Sequence, residues 1–372
     1  EKSVDVVRNP SGVILPIDRT SNLEQIAEIS TVNEEGNRYV YGLPVNVKNE
    51  TSMQYDVQGA SAINNNFQVI KNISNYNKRI GEVDNGMYCN GYLLTQITTP
   101  DYVDIGNNGP TPDDYGGYTK FEYERVYDVA SGNGYHYRMP YNGLQYSKGD
   151  ISDPTDDMGS YSSGNKDVYY LKRIVTKTHT ATFFTSTRTD GLDAATDATA
   201  ANSATIKGSK ALKRLDYIDL RTNPSTDYPA GKRIKKIVFK YDYSLSVGVP
   251  NASGGSGKLT LKALWFESEG IVNAKVSPYQ FKYNYPDIAG TYPTKYKTDF
   301  KVGYDNTILT TGSQNPNYSP FSIDAWGNYQ DVGTANIQRF LDMKTGVNQT
   351  PLATFDPAAW QLKVIQLPSG GE

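Results

Sequence analysis

The chain has 372 residues, of which 37 are Lys or Arg and 40 are Asp or Glu, so its formal net charge is −3 at pH 7. This balance offers no basic surface for a phosphate backbone and disfavours nucleic acid as a partner. No stretch approaches the roughly 18 consecutive apolar residues of a membrane-spanning helix. The single cysteine, Cys89, excludes an intrachain disulfide and a Cys-x-x-Cys site.

Residues 1–99 are predicted to be an irregular N-terminal region with some β-structure. A short helix is predicted around residues 23–29, and strands are predicted over residues 38–47 and 91–98. The 30 tyrosines of the chain, against 11 phenylalanines, favour thin strand-rich layers, because tyrosine combines apolar bulk with a hydroxyl that water can reach.

Residues 100–166 are predicted to combine two acidic, glycine-rich loops with a hairpin. The loops cover residues 100–118 and 147–166. Between them, residues 120–127 and 135–141 alternate between apolar and polar side chains. The pair Asn133-Gly134 can supply the positive φ angles of a tight turn, which predicts that the two strands pair with each other.

Residues 167–285 are predicted to form an antiparallel β meander. Strands are predicted over residues 168–176, 179–187 and 212–221, with a turn at 188–191. The clearest alternation lies in residues 235–243, 258–266 and 279–285, which should be adjacent and antiparallel. The predicted inward side chains are Ile237, Phe239, Leu259, Leu261, Trp265 and Phe281. The glycine-rich run 253–257 is predicted to be a hairpin loop between two of these strands.

Residues 286–372 are predicted to be rich in loops, with a helix at 334–344 and a terminal strand at 361–367. The residues after that strand have turn chemistry, yet the chain offers no return strand. An open apolar edge is an aggregation hazard, so this pattern predicts a fragment of a longer protein, or a strand completed by another chain. The whole chain is therefore predicted to be mainly β, with antiparallel meander or sandwich-like sheets, long loops and one or two short helices.

The two acidic loops share the pattern Asp-Asp-x-Gly-x-Tyr, at residues 113–118 and again at 156–161. Calcium prefers carboxylate and amide oxygens supplied at short spacing by tight loops. The candidate calcium ligands are Asp101, Asp104, Asn108, Asp113, Asp114, Asp150, Asp153, Asp156 and Asp157. Solvated acidic turns without a metal are the simpler alternative, because the pattern lacks the closing Glu of a calcium loop.

No catalytic motif emerges from the sequence. His136 and His179 are the only histidines, and no Gly-x-Ser-x-Gly elbow accompanies them. Carboxylates are numerous enough to leave open a glycosidase pair, which is defined by a spatial separation that sequence does not show. The tryptophans Trp265, Trp326 and Trp360 could stack on sugar rings, although packing in sheets explains most aromatic residues more simply.

Several strands resemble a known group of proteins. They include Tyr169-Tyr170-Leu171-Lys172-Arg173-Ile174, the run that ends at Arg188-Thr189-Asp190-Gly191, and Gly257-Lys258-Leu259-Thr260-Leu261-Lys262. In this order they resemble very large secreted or surface proteins of Bacteroidetes and, more distantly, the β-rich shell proteins of the RHS/YD-repeat and SpvB type. The resemblance covers residues 90–372 and implies a partial shell-like β segment of a longer exported polypeptide. It implies no catalytic residues.

The resulting expectation is a non-enzymatic structural or interaction module of a large secreted or cell-surface bacterial protein. Its partners would be other regions of a longer polypeptide or another protein chain. The main alternative is a carbohydrate-binding surface module, with calcium as a stabilising ion and glycans as partners. A glycoside-active enzyme with paired carboxylates is the weaker alternative.

Overall fold

The computed structural model describes residues 7–11, 26–56, 79–141, 145–147, 158–195, 207–268, 278–283, 315–318, 329–330, 355–356 and 359–369. Regular structure in these residues consists of β-strands and one 3-10 turn, Ser253–Gly255. The prediction of a mainly antiparallel β protein is confirmed. No helix in this part of the chain is long and apolar enough to cross a membrane.

The strands are β1 (Val7–Arg8), β2 (Ile29–Val32), β3 (Arg38–Tyr41), β4 (Leu43–Asp56), β5 (Arg79–Asn85), β6 (Tyr88–Leu93), β7 (Gln96–Thr98), β8 (Tyr118–Tyr127), β9 (Tyr135–Met139), β10 (Gln145–Ser147), β11 (Met158–Lys166), β12 (Val168–Thr176), β13 (His179–Ala194), β14 (Lys207–Thr222), β15 (Arg233–Leu245), β16 (Lys258–Glu267), β17 (Tyr279–Lys282), β18 (Tyr329–Gln330), β19 (Phe355–Asp356) and β20 (Val364–Gln366).

Two large sheets share these strands. The larger sheet has the order β2-β3-β7-β8-β12-β13-β14-β15-β16-β17-β20, with β1 pairing in parallel along β8. The smaller has the order β10-β11-β4-β5, with β6 and β9 also pairing on β4 and β11. A separate pair is formed by β18 and β19. Strands from residues 1–99, 100–166 and 167–285 are hydrogen-bonded to one another in the larger sheet.

The chain crosses between the two large sheets four times at one corner. The crossings lie at Gly42, at residues 94–95, at residues 128–134 and at Asp167. Apolar side chains from both sides fill this corner. The cluster consists of buried Val7, Leu43 and Tyr123, with Leu93, Phe121, Tyr169 and Leu171 packed against them.

The prediction that residues 120–127 and 135–141 pair as a hairpin is wrong, because the chain crosses from the larger sheet to the smaller one between them. The turn begins as expected, with an antiparallel bridge between Asp128 and Asn133. The two flanking strands then separate, because β8 pairs with β12 in the larger sheet and β9 pairs with β11 in the smaller one. Local turn chemistry is satisfied, but the strands find better partners elsewhere.

Asp167 fixes the corner with its buried carboxylate. Oδ1 accepts a hydrogen bond from the N–H of Val129 at 2.8 Å, and Oδ2 accepts one from the N–H of Asn46 at 2.9 Å. Burial raises the pKa of Asp167 above its ordinary value, although both backbone hydrogen bonds oppose that rise. The carboxylate therefore joins three crossing segments by satisfying donors that the sheets leave unpaired.

Three local predictions need correction. Residues 158–166 form β11 instead of a loop, because small residues allow close approach: a Cβ on Gly164 would lie 2.9 Å from the Tyr137 hydroxyl. Residues 188–191 form a bulge within β13 instead of a turn. The helix predicted for residues 23–29 is wrong at its C-terminal end, because Ile29 is the first residue of β2. The helix predicted at 334–344 lies outside the described residues.

The three most regular strands are confirmed as adjacent and antiparallel: β15 pairs with β16, and β16 pairs with β17. The predicted facing is wrong at Trp265. A register shift between Ala263 and Leu261 inserts one extra residue, so Trp265 lies opposite Val238 and not on the face of Phe239. The terminal strand is confirmed as β20, and its partner among the described strands is β17.

The far ends of β13 and β14, residues 191–194 and 207–211, form an arm that lies over the corner. Tyrosine hydroxyls attach it by donating to arm carbonyl oxygens. Tyr127 donates to Ala211 O at 2.8 Å, Tyr135 to Gly191 O at 3.0 Å and Tyr141 to Asp193 O at 2.8 Å. Burial raises the pKa of all three hydroxyls, so they remain protonated donors. The tyrosine content thus has a specific structural use.

Candidate functional site

The acidic loop between β7 and β8, residues 99–117, is closed around one carboxylate. The Asp114 residue is only 1% exposed. Its oxygens accept hydrogen bonds from the Tyr102 hydroxyl at 2.9 Å and from the N–H groups of Ile105 at 3.1 Å and Thr111 at 2.8 Å. Burial acts to raise the pKa of Asp114, but these hydrogen bonds outweigh it and the pKa is lowered. Asp114 is therefore a charged latch.

The other predicted ligands of this loop are also described. Asp104 accepts hydrogen bonds from the backbone N–H of Asn108 at 3.3 Å and of the following glycine at 2.9 Å. Asp101 accepts one from a neighbouring threonine hydroxyl at 2.5 Å. Asp113 is exposed. The loop thus uses two of its carboxylates, those of Asp104 and Asp114, to hold its own backbone.

Calcium binding stays a prediction. Within the described ranges, no three His, Cys, Asp or Glu side chains form a group that could hold a metal ion. Residues 148–157 of the second acidic loop fall outside those ranges, and with them the remaining predicted ligands, namely Asp150, Asp153, Asp156 and Asp157.

Three large apolar side chains are exposed on the loop 99–117, among polar and acidic ones. Val103 and Tyr115 face each other in an antiparallel bridge, with N–H···O distances of 3.2 Å in both directions. Val103 is 53% exposed, Ile105 52% and Tyr115 66%. The loop carries four carboxylates and no Lys or Arg. An apolar tip with an acidic rim is therefore presented on a closed loop, and we call residues Val103, Ile105 and Tyr115 the apolar tip.

A second feature is a pocket of about 350 Å³ at the end of β15 and β16. Its walls combine aliphatic and aromatic side chains from three distant parts of the sequence. They are Leu245, Leu259, Leu261, Tyr283, Tyr318 and Trp360. Pockets of about 300–1,000 Å³ with apolar walls and a few polar groups are typical of small-molecule sites.

Trp360 is held in this pocket by its backbone and its indole. Its N–H donates to Asn315 Oδ1 at 2.6 Å, and its indole Nε1 donates to Pro316 O at 2.7 Å. Its ring meets the Tyr329 ring edge-on, with centroids 5.2 Å apart. The φ angle of Trp360 is +59°, a conformation that bulky residues rarely adopt and that clusters at ligand sites.

Three polar residues also line the pocket. The Thr260 hydroxyl donates to Lys258 O at 2.9 Å, and we call the other two, Ser246 and Lys258, the pocket rim. Ser246 is buried and also has a positive φ, +54°. Lys258 is exposed, and no carboxylate of the described residues lies within ion-pair distance of its ammonium. Two acidic groups near these strands have their own cations: Asp190 of β13, which accepts the Leu259 N–H at 3.0 Å, is paired with Arg188, and Asp242 of β15 is paired with Lys262.

Two buried carboxylates, which the sequence did not single out, lie two residues apart on β8: Glu122 and Glu124. Glu122 is paired with Arg173 at 2.6 Å and Arg8 at 3.4 Å. Glu124 is paired with Lys172 at 3.5 Å and with Lys213. Both are buried, so these ion pairs connect β8 to the strands around it.

Neither histidine joins a catalytic arrangement among the described residues. His136 is buried, which lowers its pKa, and its Nδ1 has no hydrogen-bond partner there. His179 Nδ1 lies 2.7 Å from the Thr178 hydroxyl. Of the tryptophans proposed for sugar stacking, Trp360 lines the pocket, Trp265 donates its indole N–H to Glu267 at 3.0 Å, and Trp326 is outside the described ranges.

Comparisons of the chain with models of protein families, with curated proteins and with solved structures find no match. The apolar tip and the pocket beside Trp360 are therefore assigned as candidate sites from their geometry alone.

Proposed function

We propose that this chain is a non-enzymatic interaction module of a large exported bacterial protein, at the cell surface or outside the cell. The resemblance of residues 90–372 to Bacteroidetes surface proteins and RHS-type shells supports the export and the larger polypeptide. The module binds another region of that polypeptide, or another protein chain, through the apolar tip of the loop 99–117.

The observation that carries this proposal is the exposure of the apolar tip on a loop that cannot collapse to hide it. Exposed apolar clusters with a polar rim mark interaction sites. The buried Asp114 carboxylate and the Val103–Tyr115 bridge fix the loop before binding, so little ordering entropy is lost on association. A central tyrosine is also among the side chains that contribute most to binding.

The acidic rim specifies the partner's chemistry. Three carboxylates besides the buried Asp114, and no cation in the loop, favour a partner with an apolar recess flanked by Lys or Arg. Lys177 donates into this loop at the backbone oxygen of Asp114, at 2.7 Å, and not at a rim carboxylate.

Site-specific photocrosslinking tests the proposal. A benzophenone amino acid replaces Tyr115 in the full protein expressed in its own cells, and the control replaces Tyr228, which is 46% exposed in another loop. We expect one discrete adduct from position 115 and none from 228. The adduct should weaken at high salt and disappear with Asp113→Lys. The proposal would be overturned if the adducts were equally diffuse at both positions. It would also be overturned if the adduct at position 115 were unaffected by high salt and by D113K.

A further inference from the structure

We propose that the pocket beside Trp360 binds a sugar residue that carries a carboxylate, as in a uronic acid unit of an acidic polysaccharide. This would be a function in addition to protein docking, at a separate surface. The walls of the pocket, the charge at its rim and the hydrogen bonds that hold its backbone support this assignment.

The walls suit the flat face of a pyranose ring. Tyr283, Tyr318 and Trp360 present aromatic side chains to a space of about 350 Å³. The C–H groups on one face of a sugar are apolar, whereas its hydroxyls require hydrogen bonds, so an aromatic wall with a polar rim matches both. This volume lies at the small end of ligand pockets, which favours one ring of a chain.

The rim adds a positive charge without a partner carboxylate. The Lys258 ammonium has three donors and no ion pair within the described residues, while Asp190 and Asp242 nearby are neutralised by their own cations. A carboxylate on the bound sugar would form an ion pair with this ammonium group. The Ser246 hydroxyl lies on the same rim and supplies one further donor or acceptor.

The backbone of the pocket is held in its unusual shape by hydrogen bonds. Asn315 links both sides: its Oδ1 accepts from the Trp360 N–H, and its Nδ2 donates to Tyr283 O at 2.8 Å. The N–H of Tyr318 donates to Val247 O at 2.8 Å, next to Ser246. Two residues with positive φ therefore line one space that is already open, so binding requires little rearrangement.

Calorimetric titration tests this proposal with a galacturonic acid trisaccharide and a neutral galactose trisaccharide as probes. We expect the acidic probe to bind and the neutral probe to bind at least about tenfold more weakly, because a hydrogen bond to a charged group contributes more than one to a neutral group. Lys258→Gln should remove this preference. Lys240→Gln, at an exposed lysine elsewhere on β15, is the matched control and should change nothing.

Tyr283→Ala should weaken both probes, with folding checked by circular dichroism. Equal binding of the two probes, or an acidic preference that survives K258Q, would refute the assignment to Lys258. The absence of binding by either probe at millimolar concentration would refute a sugar site altogether. Each result is independent of crosslinking at Tyr115, so failure of this inference would leave the docking proposal standing.

Discussion

Replacing Asp114 with Ala should open the loop 99–117 without unfolding the sheets. The substitution removes three hydrogen bonds to a buried, charged acceptor and leaves the N–H groups of Ile105 and Thr111 without a protein partner. Each buried donor left unpaired costs about 1–3 kcal/mol. Water can reach this surface loop once it loosens, so we expect a total of about 2–4 kcal/mol.

This loss of local stability should be measurable as faster amide hydrogen exchange within the loop. Every 1.4 kcal/mol is about a tenfold change in an equilibrium, so amide hydrogen exchange at Ile105 and Thr111 should accelerate by about 30- to 1,000-fold. Mass spectrometry of peptides spanning residues 102–112 measures it. Peptides from β14 and β15 serve as the internal reference and should keep their protection.

Asp114→Asn is the matched control. An amide oxygen can still accept from one backbone N–H, whereas the amide NH₂ opposes the other, so its exchange should lie between that of wild type and D114A. Because the pKa of Asp114 is lowered in the fold, the latch is complete above the unfolded value of about 3.9 and is lost as pH falls through the folded value. Unchanged exchange in D114A would refute the latch, and with it the argument that the apolar tip is preorganised.

Three further outcomes are expected. Asp167→Ala should lower the free energy of unfolding by about 2–6 kcal/mol, measured by urea denaturation, because two backbone donors at the corner lose their acceptor; a loss below about 1 kcal/mol would contradict its role. Burial lowers the pKa of His136, so the protein should lose stability as pH falls below about 6.5, and His136→Gln should reduce that slope in urea midpoints; identical slopes would exclude this contribution. For the predicted calcium site, excess EDTA should lower the melting temperature and added calcium should restore it; an unchanged melting temperature would leave the acidic loops as solvated turns, closed in the first loop by backbone hydrogen bonds to Asp104 and Asp114.

Alternation along the chain was sufficient to predict much of the larger sheet. The strand pairs of β15, β16 and β17 follow from side chains that alternate over many residues without interruption. The facing of Trp265 could not be predicted in the same way. One extra residue at the bulge near Lys262 reverses the face of everything beyond it, and no local signal marks that position.

The corner was not predictable because its strand partners are distant in sequence. Asn133-Gly134 indicates a turn correctly, but only the positions of β11 and β12 decide that β8 and β9 separate. The acceptor role of Asp167 depends on Val129 and Asn46, which lie 38 and 121 residues away.

The two candidate surfaces differ in what sequence could provide. The acidic loop was identified from its carboxylates, but the roles of Asp114 as latch and of Val103, Ile105 and Tyr115 as apolar tip required the bridge and the burial. The pocket had only Trp360 as a signal. Its other walls come from β15, β16 and two short segments that are brought together only by the fold.

The way the β13–β14 arm is attached affects which positions are free to vary. The hydroxyls of Tyr127, Tyr135 and Tyr141 all end on carbonyl oxygens of the arm, and the Lys213 N–H donates in return to the Tyr170 hydroxyl at 2.8 Å. A backbone atom is present whatever side chain the residue carries. Substitutions along the arm can therefore change its surface chemistry while these bonds persist, whereas loss of a single tyrosine hydroxyl on the body removes one of them. The hydroxyl half of the arm's attachment thus lies outside the arm, whereas Lys207 and Lys210 of the arm itself donate to the carbonyl oxygens of Ala252 and Gly134.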